Sequence, residues 1–347
     1  MLRISNDTKI YIHAPAGMVT GGVELLHQLA NYLRNHNKKA YIVYYGSSQK
    51  KIPSEYQQYN IETTSYVEDS SENIEIYTDV TCSFLKQNKR KSQKFLWWLS
   101  VDNYFKNSAE LSLFDLFKWD FKLGKKHFID RLKCSIYFRR NYFKGKISLS
   151  DLSKYDCGYQ SEYIHQFLKR NHFKKNVILQ DYINTDFYKP FAISQRENIV
   201  LYNPKKGLDF TKKIIFAIPN INRIAIENKS RSEILDLIHR SKLYIDFGNH
   251  PGKDRLPREC ALGGCCVITG KRGSAAYFED IPIPESYKFD EKSTTIQEIV
   301  NKIQWVLYHF NQAINDFSYY REKILNEKKI FEKQVDKIFE TTGCNQL

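Results

Sequence analysis

Residues 252–274, GKDRLPRECALGGCCVITGKRGS, set one carboxylate, Glu259, between two basic, glycine-bearing loops that flank a short apolar run. That mixture suits an anionic ligand with hydroxyls nearby. Cations and backbone amides would meet its charge, and a carboxylate would meet its hydroxyls. Six cations recur in loops of this kind: Lys205, Lys206, Lys253, Arg255, Lys271 and Arg272. Taken singly, each is better explained as solvated surface; their shared placement at strand ends points to a ligand. Glu259 is expected at the start of a helix, where the helix dipole favours a carboxylate even without a ligand. Asp102 and Asn103 follow the apolar run FLWWLSV and are expected at the carboxyl end of a strand. An Asp there orients an acceptor hydroxyl or acts as general base, and it serves equally well as a turn residue closing the strand. His13 is read as a loop or core histidine, and Cys265 with Cys266 as buried strand residues.

The elements that must position these groups alternate along the chain. KIYIHAP (9–15) reads as a buried strand, and after Gly21 and Gly22 the residues Leu26, Leu29, Ala30 and Leu33 mark one apolar helix face. AYIVYYG (40–46) is the next strand, so the opening is a βαβ unit with a parallel sheet. NIEIYTDV (73–80) and KFLWWLSVDNYF (94–105) are further strand candidates. A second alternating block begins at NIVLYNPKKG (198–207) and runs through LYIDFG, a helix near LPRECAL, and CCVIT. SRSE (230–233) fits a helix capping box. Two helical stretches, 294–311 and 316–340, close the chain.

The chain has 347 residues, enough for two domains, and its 42% hydrophobic content supports real cores. Its net charge of +14 points to an anionic partner. Half of that excess lies in residues 106–146, where eleven Lys/Arg face four Asp/Glu and nine aromatics are interleaved. The seven cysteines show no zinc-ligand spacing, which fits free thiols in a reducing compartment. The polar N-terminal residues do not read as a signal peptide, and no window nears the ~18 apolar residues of a membrane span. A cytoplasmic location is expected. Two βα blocks meeting near residue 190 indicate two doubly wound α/β domains facing across a cleft, with ligands at the carboxyl ends of the strands.

With those residues in view, the chain resembles GT-B glycosyltransferases, especially the family 4 type of bacterial surface-polysaccharide clusters (capsule and lipopolysaccharide). INTDFYKP (183–190) looks like the family's domain linker, and LYNPKKG (201–207) like the strand and Lys-Gly loop that open its donor domain. LYIDFGNHPGKDRLPRECALGGCCVIT (243–269) resembles its signature, and GGVELLHQLANYL (21–33) its first Gly-Gly helix start. The resemblance implies an acceptor-side domain at 1–188 carrying a basic aromatic insertion at about 106–150. It further implies a nucleotide-sugar domain at 189–315 and a C-terminal helix, 316–347, packed back on the first domain. Glu259 matches the family carboxylate that holds the ribose hydroxyls, and Lys206 the cation on the diphosphate, with Lys205 beside it. Gly21 and Gly22 match a loop that lets backbone approach the donor. Gly273 and Ser274 match a loop whose amides face it, and Arg255 and His250 are placed near the donor as well. Three features depart from the family pattern. Pro251 stands where a second Glu is common, the spacing from Leu-Pro to Glu259 is one residue shorter, and no Arg precedes the Lys-Gly.

The expected activity is transfer of a sugar, of the hexosyltransferase kind, from a nucleotide sugar to a glycan or lipid-linked acceptor. Asp102 and Asn103 are the catalytic candidates. No DxD-like carboxylate pair sits at a strand end, so neither a metal nor another cofactor is expected. The basic aromatic segment suggests a peripheral seat on an anionic membrane surface, on the cytoplasmic face of the inner membrane. A nucleotide-sugar 2-epimerase of the same fold and a basic nucleic-acid-binding protein are the alternatives. The second ranks well below transfer because the charge concentrates in one segment and in strand-end loops, so no nucleic acid partner is expected.

Overall fold

The computed structural model describes residues 2–46, 51–109, 146–194 and 196–341. Most of the basic aromatic segment, 110–145, therefore lies outside the described residues. The chain forms two compact units. One comprises Met1–Tyr159, His165–Leu179 and Gln334–Leu347, the other Gln160–Ile164 and Gln180–Lys333.

Among the described residues the first unit holds six parallel strands: β1 (Lys9–Pro15), β2 (Lys39–Tyr45), β3 (Ile74–Thr78), β4 (Gln93–Trp98), β5 (Asp156–Tyr159) and β6 (Asn176–Ile178). Their order is β2-β1-β3-β4-β5-β6, so the winding reverses between β1 and β3. Among the described residues its helices are α1 (Gly21–Asn35), α2 (Val101–Asn107), α3 (Leu149–Leu152) and α4 (Glu162–Arg170), the first residues of α4 belonging to the second unit. The apolar face read in α1 is the buried one, with Leu26, Leu29, Ala30 and Leu33 each nearly inaccessible. Thr20 caps that helix by accepting from the Val23 amide at 3.4 Å.

The strand expected over 94–105 is cut short. It ends at Trp98, and Ser100 starts α2 by accepting from the Asn103 amide at 3.2 Å. A serine in extended backbone with Asp102 in the first turn is a strong helix start, and it overrides the apolar run before it. One buried carboxylate, Glu75 on β3, gathers much of this unit. It accepts from Tyr77 at 2.6 Å, Arg90 at 2.8 Å, Asn88 at 2.9 Å and Lys94 at 3.1 Å. Nε2 of His13 lies 2.9 Å from it, and the His13 ring stacks on Tyr77, so His13 is a partnered core histidine. Burial opposes the charge on Glu75, but these donors hold its carboxyl well below the usual range.

The second unit holds β7 (Glu197–Tyr202), β8 (Asn222–Ala225), β9 (Ser241–Asp246), β10 (Cys266–Gly270) and β11 (Lys288–Phe289), all parallel, in the order β11-β10-β9-β7-β8. Between and after them run α5 (Leu208–Phe216), α6 (Arg231–Arg240), α7 (Arg255–Leu262), α8 (Ile296–Tyr308), α9 (Phe310–Ala313) and α10 (Ser318–Phe339). The capping box read at Ser230 and Glu233 is present at the start of α6. Val200, Leu201, Leu243, Ile245, Val267 and Ile268 form the centre of one apolar core, covered on both faces as a parallel sheet requires. Cys260, Cys265 and Cys266 are buried free thiols of that core. Among the described residues no helix is long and apolar enough to cross a membrane.

Candidate functional site

In the second unit β10, β9 and β7 are neighbours, and each releases the chain at its carboxyl end into one of the basic loops read from the sequence. The loop after β7 carries Lys205 and Lys206 and closes at Gly207. Gly207 has φ of +60°, and a Cβ there would run into the carbonyl of Phe247, so the two loops touch backbone to backbone. The loop after β10 is fixed in the same way. Gly273 has φ of +62°, and a Cβ would strike the backbone of His250. The Ser274 amide donates to the His250 carbonyl at 2.8 Å, and its hydroxyl donates to the Gly252 carbonyl at 2.7 Å. Ser274 therefore ties two loops together instead of presenting its own amide outward, which corrects its expected role.

The joined loops carry a row of alternating charge. Lys206 Nζ lies 2.5 Å from Asp254 Oδ2, His250 Nδ1 is 3.7 Å from that oxygen, and His250 Nε2 is 3.5 Å from Asp246 Oδ1. Asp246 also accepts from the Tyr244 hydroxyl at 2.6 Å and the Gly248 amide at 2.9 Å. Burial opposes ionisation of Asp246, but His250 and Tyr244 outweigh it and hold the carboxyl at about 2. Burial also opposes charge on His250, and the two carboxylates beside it raise its pKa above the ordinary value. The nearest oxygen and nitrogen atoms of Asp246, His250 and Asp254 lie within 4.8 Å of one another, a spacing that a metal ion could span. With Lys206 already on Asp254, and Tyr244 and Gly248 on Asp246, the set reads as an ion chain.

Helix α7 follows directly. It begins at Arg255 with Asp254 as its N-cap, so Glu259 stands in the second turn and not at the helix start that the sequence suggested. Glu259 is half-buried, and so is Arg255, whose Nε lies 4.0 Å from Asp181. Between them Arg258 is completely buried. It donates to Asp181 at 2.7 Å and to Glu327 at 2.8 Å. Sequence reading passed over Arg258, although an arginine directly after Leu-Pro and before Glu259 was a visible signal.

In the first unit Gly21 and Gly22 are the opening residues of α1 and not a loop. Gly22 stands beside Leu99: a Cβ there would make an ordinary contact with its side chain at 3.6 Å, so the packing does not demand glycine. Asp102 and Asn103, both half-buried, lie in the first turn of α2. A second carboxylate, Asp79, sits just past the end of β3 and escaped the sequence reading. It accepts from the Leu99 amide at 2.8 Å and the Ser100 amide at 3.0 Å, while its other oxygen is buried without a hydrogen-bond partner. Burial pushes the Asp79 carboxyl up to about 7. The rule that flagged Asp102, an acidic residue after an apolar strand, applies to Asp79 as well.

No protein-family model matches the sequence, and no curated protein matches it. Solved structures do resemble the fold. Sucrose-phosphate synthase from Thermosynechococcus elongatus aligns with a TM-score of 0.63 at 12% identity, over 96% of this chain and 98% of that one. HepE from Anabaena, in complex with UDP and glucose, aligns with a TM-score of 0.62 at 13% identity, over 96% and 100%. A glycosyltransferase from Rickettsia africae aligns with a TM-score of 0.61 at 14% identity, over 99% and 100%. The fold is GT-B.

Within its second unit, this GT-B chain brings Lys206, His250, Gly273 and Ser274 into one joined set of loops, with Lys205 on the same β7 loop and Arg255 opening the helix that follows. Glu259 is carried one turn further along α7. Within the first unit, Gly21 with Gly22 and Asp102 with Asn103 open two helices that begin beyond the carboxyl ends of β1 and β4. Chemically, the second unit offers cations and a helix start suited to phosphate oxygens and a carboxylate suited to hydroxyls. The first offers carboxyl groups suited to holding or accepting a proton.

Proposed function

We propose that this protein is a glycosyltransferase that moves a sugar from a nucleotide sugar to a glycan or lipid-linked acceptor in surface-polysaccharide synthesis. The observation that carries this reading is the joining of the Lys206, His250 and Gly273 loops at adjacent strand ends of a GT-B unit. HepE, of the same fold, was solved with UDP and glucose. Glu259 accepts hydrogen bonds from the ribose hydroxyls. Lys206, Lys205 and Arg255 neutralise the diphosphate as it leaves, together with the amides at the start of α7. Stabilising that developing charge is the main task of the site, and protein cations perform it here without a metal. His250, held between Asp246 and Asp254, fixes the loop that faces the donor sugar. Asp102 holds the acceptor hydroxyl and takes its proton, with Asn103 beside it.

A thermal-shift screen against UDP-, GDP-, ADP-, CMP- and dTDP-linked sugars tests the reading. A donor at a hundredfold excess over its Kd stabilises by about 2.7 kcal/mol, and one base should stand out. Glu259→Gln should then weaken binding of that donor by about 1.5–3 kcal/mol with the fold intact. No response to any of the five would remove the nucleotide sugar from the reading. Anomeric NMR of the product distinguishes transfer from epimerisation of the free donor.

A further inference from the structure

Arg258 has no solvent exposure, yet it sits next to the carboxylate proposed to hold the ribose. Its guanidinium bonds to Asp181 at 2.7 Å and Glu327 at 2.8 Å, and Lys253 completes the cluster at 2.8 Å from Glu327. In these four residues two cations face two carboxylates, and Arg255 stands beside Asp181 as a third cation. Burial works against the charge on Asp181, but Arg258 and Lys253 keep its carboxyl below the ordinary range. Packing alone does not require this arrangement, because an apolar side chain of similar volume fills such a position without the desolvation cost. What an apolar side chain cannot do is donate hydrogen bonds. Arg258 donates to the Lys253 carbonyl at 2.9 Å and to the Asp254 carbonyl at 3.2 Å.

Those carbonyls belong to the last two residues before α7, and Asp254 is its N-cap. The same Asp181 that anchors Arg258 lies 4.0 Å from Nε of Arg255. The cluster thus pins the loop before α7 to the segment that opens at Gln180 and to helix α10. We propose that Arg258 is a positioning residue for nucleotide recognition, fixing the start of α7 so that Glu259 and Arg255 keep one orientation toward ribose and diphosphate. This rests on the nucleotide-sugar reading above and adds a residue that touches no ligand itself.

The test compares each of UDP, GDP and ADP with its 2′,3′-dideoxy form by calorimetry. The wild type should prefer the ribose form of the base it binds by about tenfold or more, the worth of a charge-assisted hydrogen bond. Arg258→Met with Asp181→Asn removes one charge of each sign and leaves Lys253 paired with Glu327, which keeps the variant foldable. That double variant should lose the ribose preference, Asp181→Asn alone should keep most of it, and Arg258→Lys should fall between. If the double variant melts earlier but keeps the full ribose preference, Arg258 is structural and the proposal is wrong. If the wild type itself binds both forms equally, or binds neither, the failure lies in the Glu259 reading and the proposal falls with it.

Discussion

Nζ of Lys206 lies 2.5 Å from Oδ2 of Asp254, so the cation expected to meet a diphosphate rests on a carboxylate of its own unit. Binding must exchange one anion for the other. Lys206→Met should therefore weaken the nucleoside diphosphate by about 1.5–3 kcal/mol. Asp254→Asn, which keeps an N-cap residue and removes the competing charge, should tighten it. Calorimetry with the diphosphate of the selected base reads both. Changes of the same sign in the two variants would show that Lys206 serves Asp254 and not the ligand.

His250 gives the second unit a stability term that depends on pH. Its pKa in the folded protein is raised above the ordinary 6.5, because Asp246 and Asp254 outweigh burial and the opposing charge of Lys206. A raised value means the folded state holds the proton more tightly, so the contribution is full below pH 6.5 and fades as pH rises through the folded value. Asp246 acts in a separate window: with its carboxyl at about 2, its contribution is present above 3.8 and lost as pH falls. Urea midpoints measured from pH 5.5 upward should decline in the wild type and stay flatter in His250→Gln. Parallel profiles would rule out a charged His250.

Asp102 and Asp79 should separate chemistry from folding. If the reaction inverts the anomeric centre, Asp102→Asn should cut turnover by about 10²–10⁴-fold with donor affinity unchanged. Asp79, pushed by burial to about 7, is destabilising when ionised. An Asn there keeps an acceptor for the Leu99 and Ser100 amides, so Asp79→Asn should gain on the wild type as pH rises from 3.8 towards 7 and then hold level. Normal turnover in Asp102→Asn, or a pH-independent gap for Asp79→Asn, would reverse the respective assignment.

The basic aromatic composition of residues 106–146 predicts binding to anionic vesicles, with cations near such a surface contributing about 1 kcal/mol each. Co-sedimentation with phosphatidylserine liposomes should fall as salt rises. It should fall further when Arg139, Arg140, Lys144 and Lys146 become Glu. A wild type that ignores anionic vesicles at low salt would point instead to a soluble acceptor.

The sequence by itself determined what depends on neighbours a few residues apart. The α1 face at Leu26, Leu29, Ala30 and Leu33, the Ser230–Glu233 cap and the run of parallel strands from Lys9 and from Glu197 are local patterns, and all are present. The Lys-Gly and Gly-Ser loops were also legible, because strand ends place them on one edge. Where local signals competed, apolar content misled. FLWWLSV reads as continuous strand, whereas Ser100 and Asp102 turn its end into a helix. The tertiary structure alone decided the partners of charge. Arg258 meets Asp181 and Glu327 across 77 and 69 positions of chain, and Glu75 reaches His13 across 62. No periodicity encodes such pairs. A buried charge is tolerated only where the returning chain supplies its counter-ion, so its meaning appears only once the fold has closed around it.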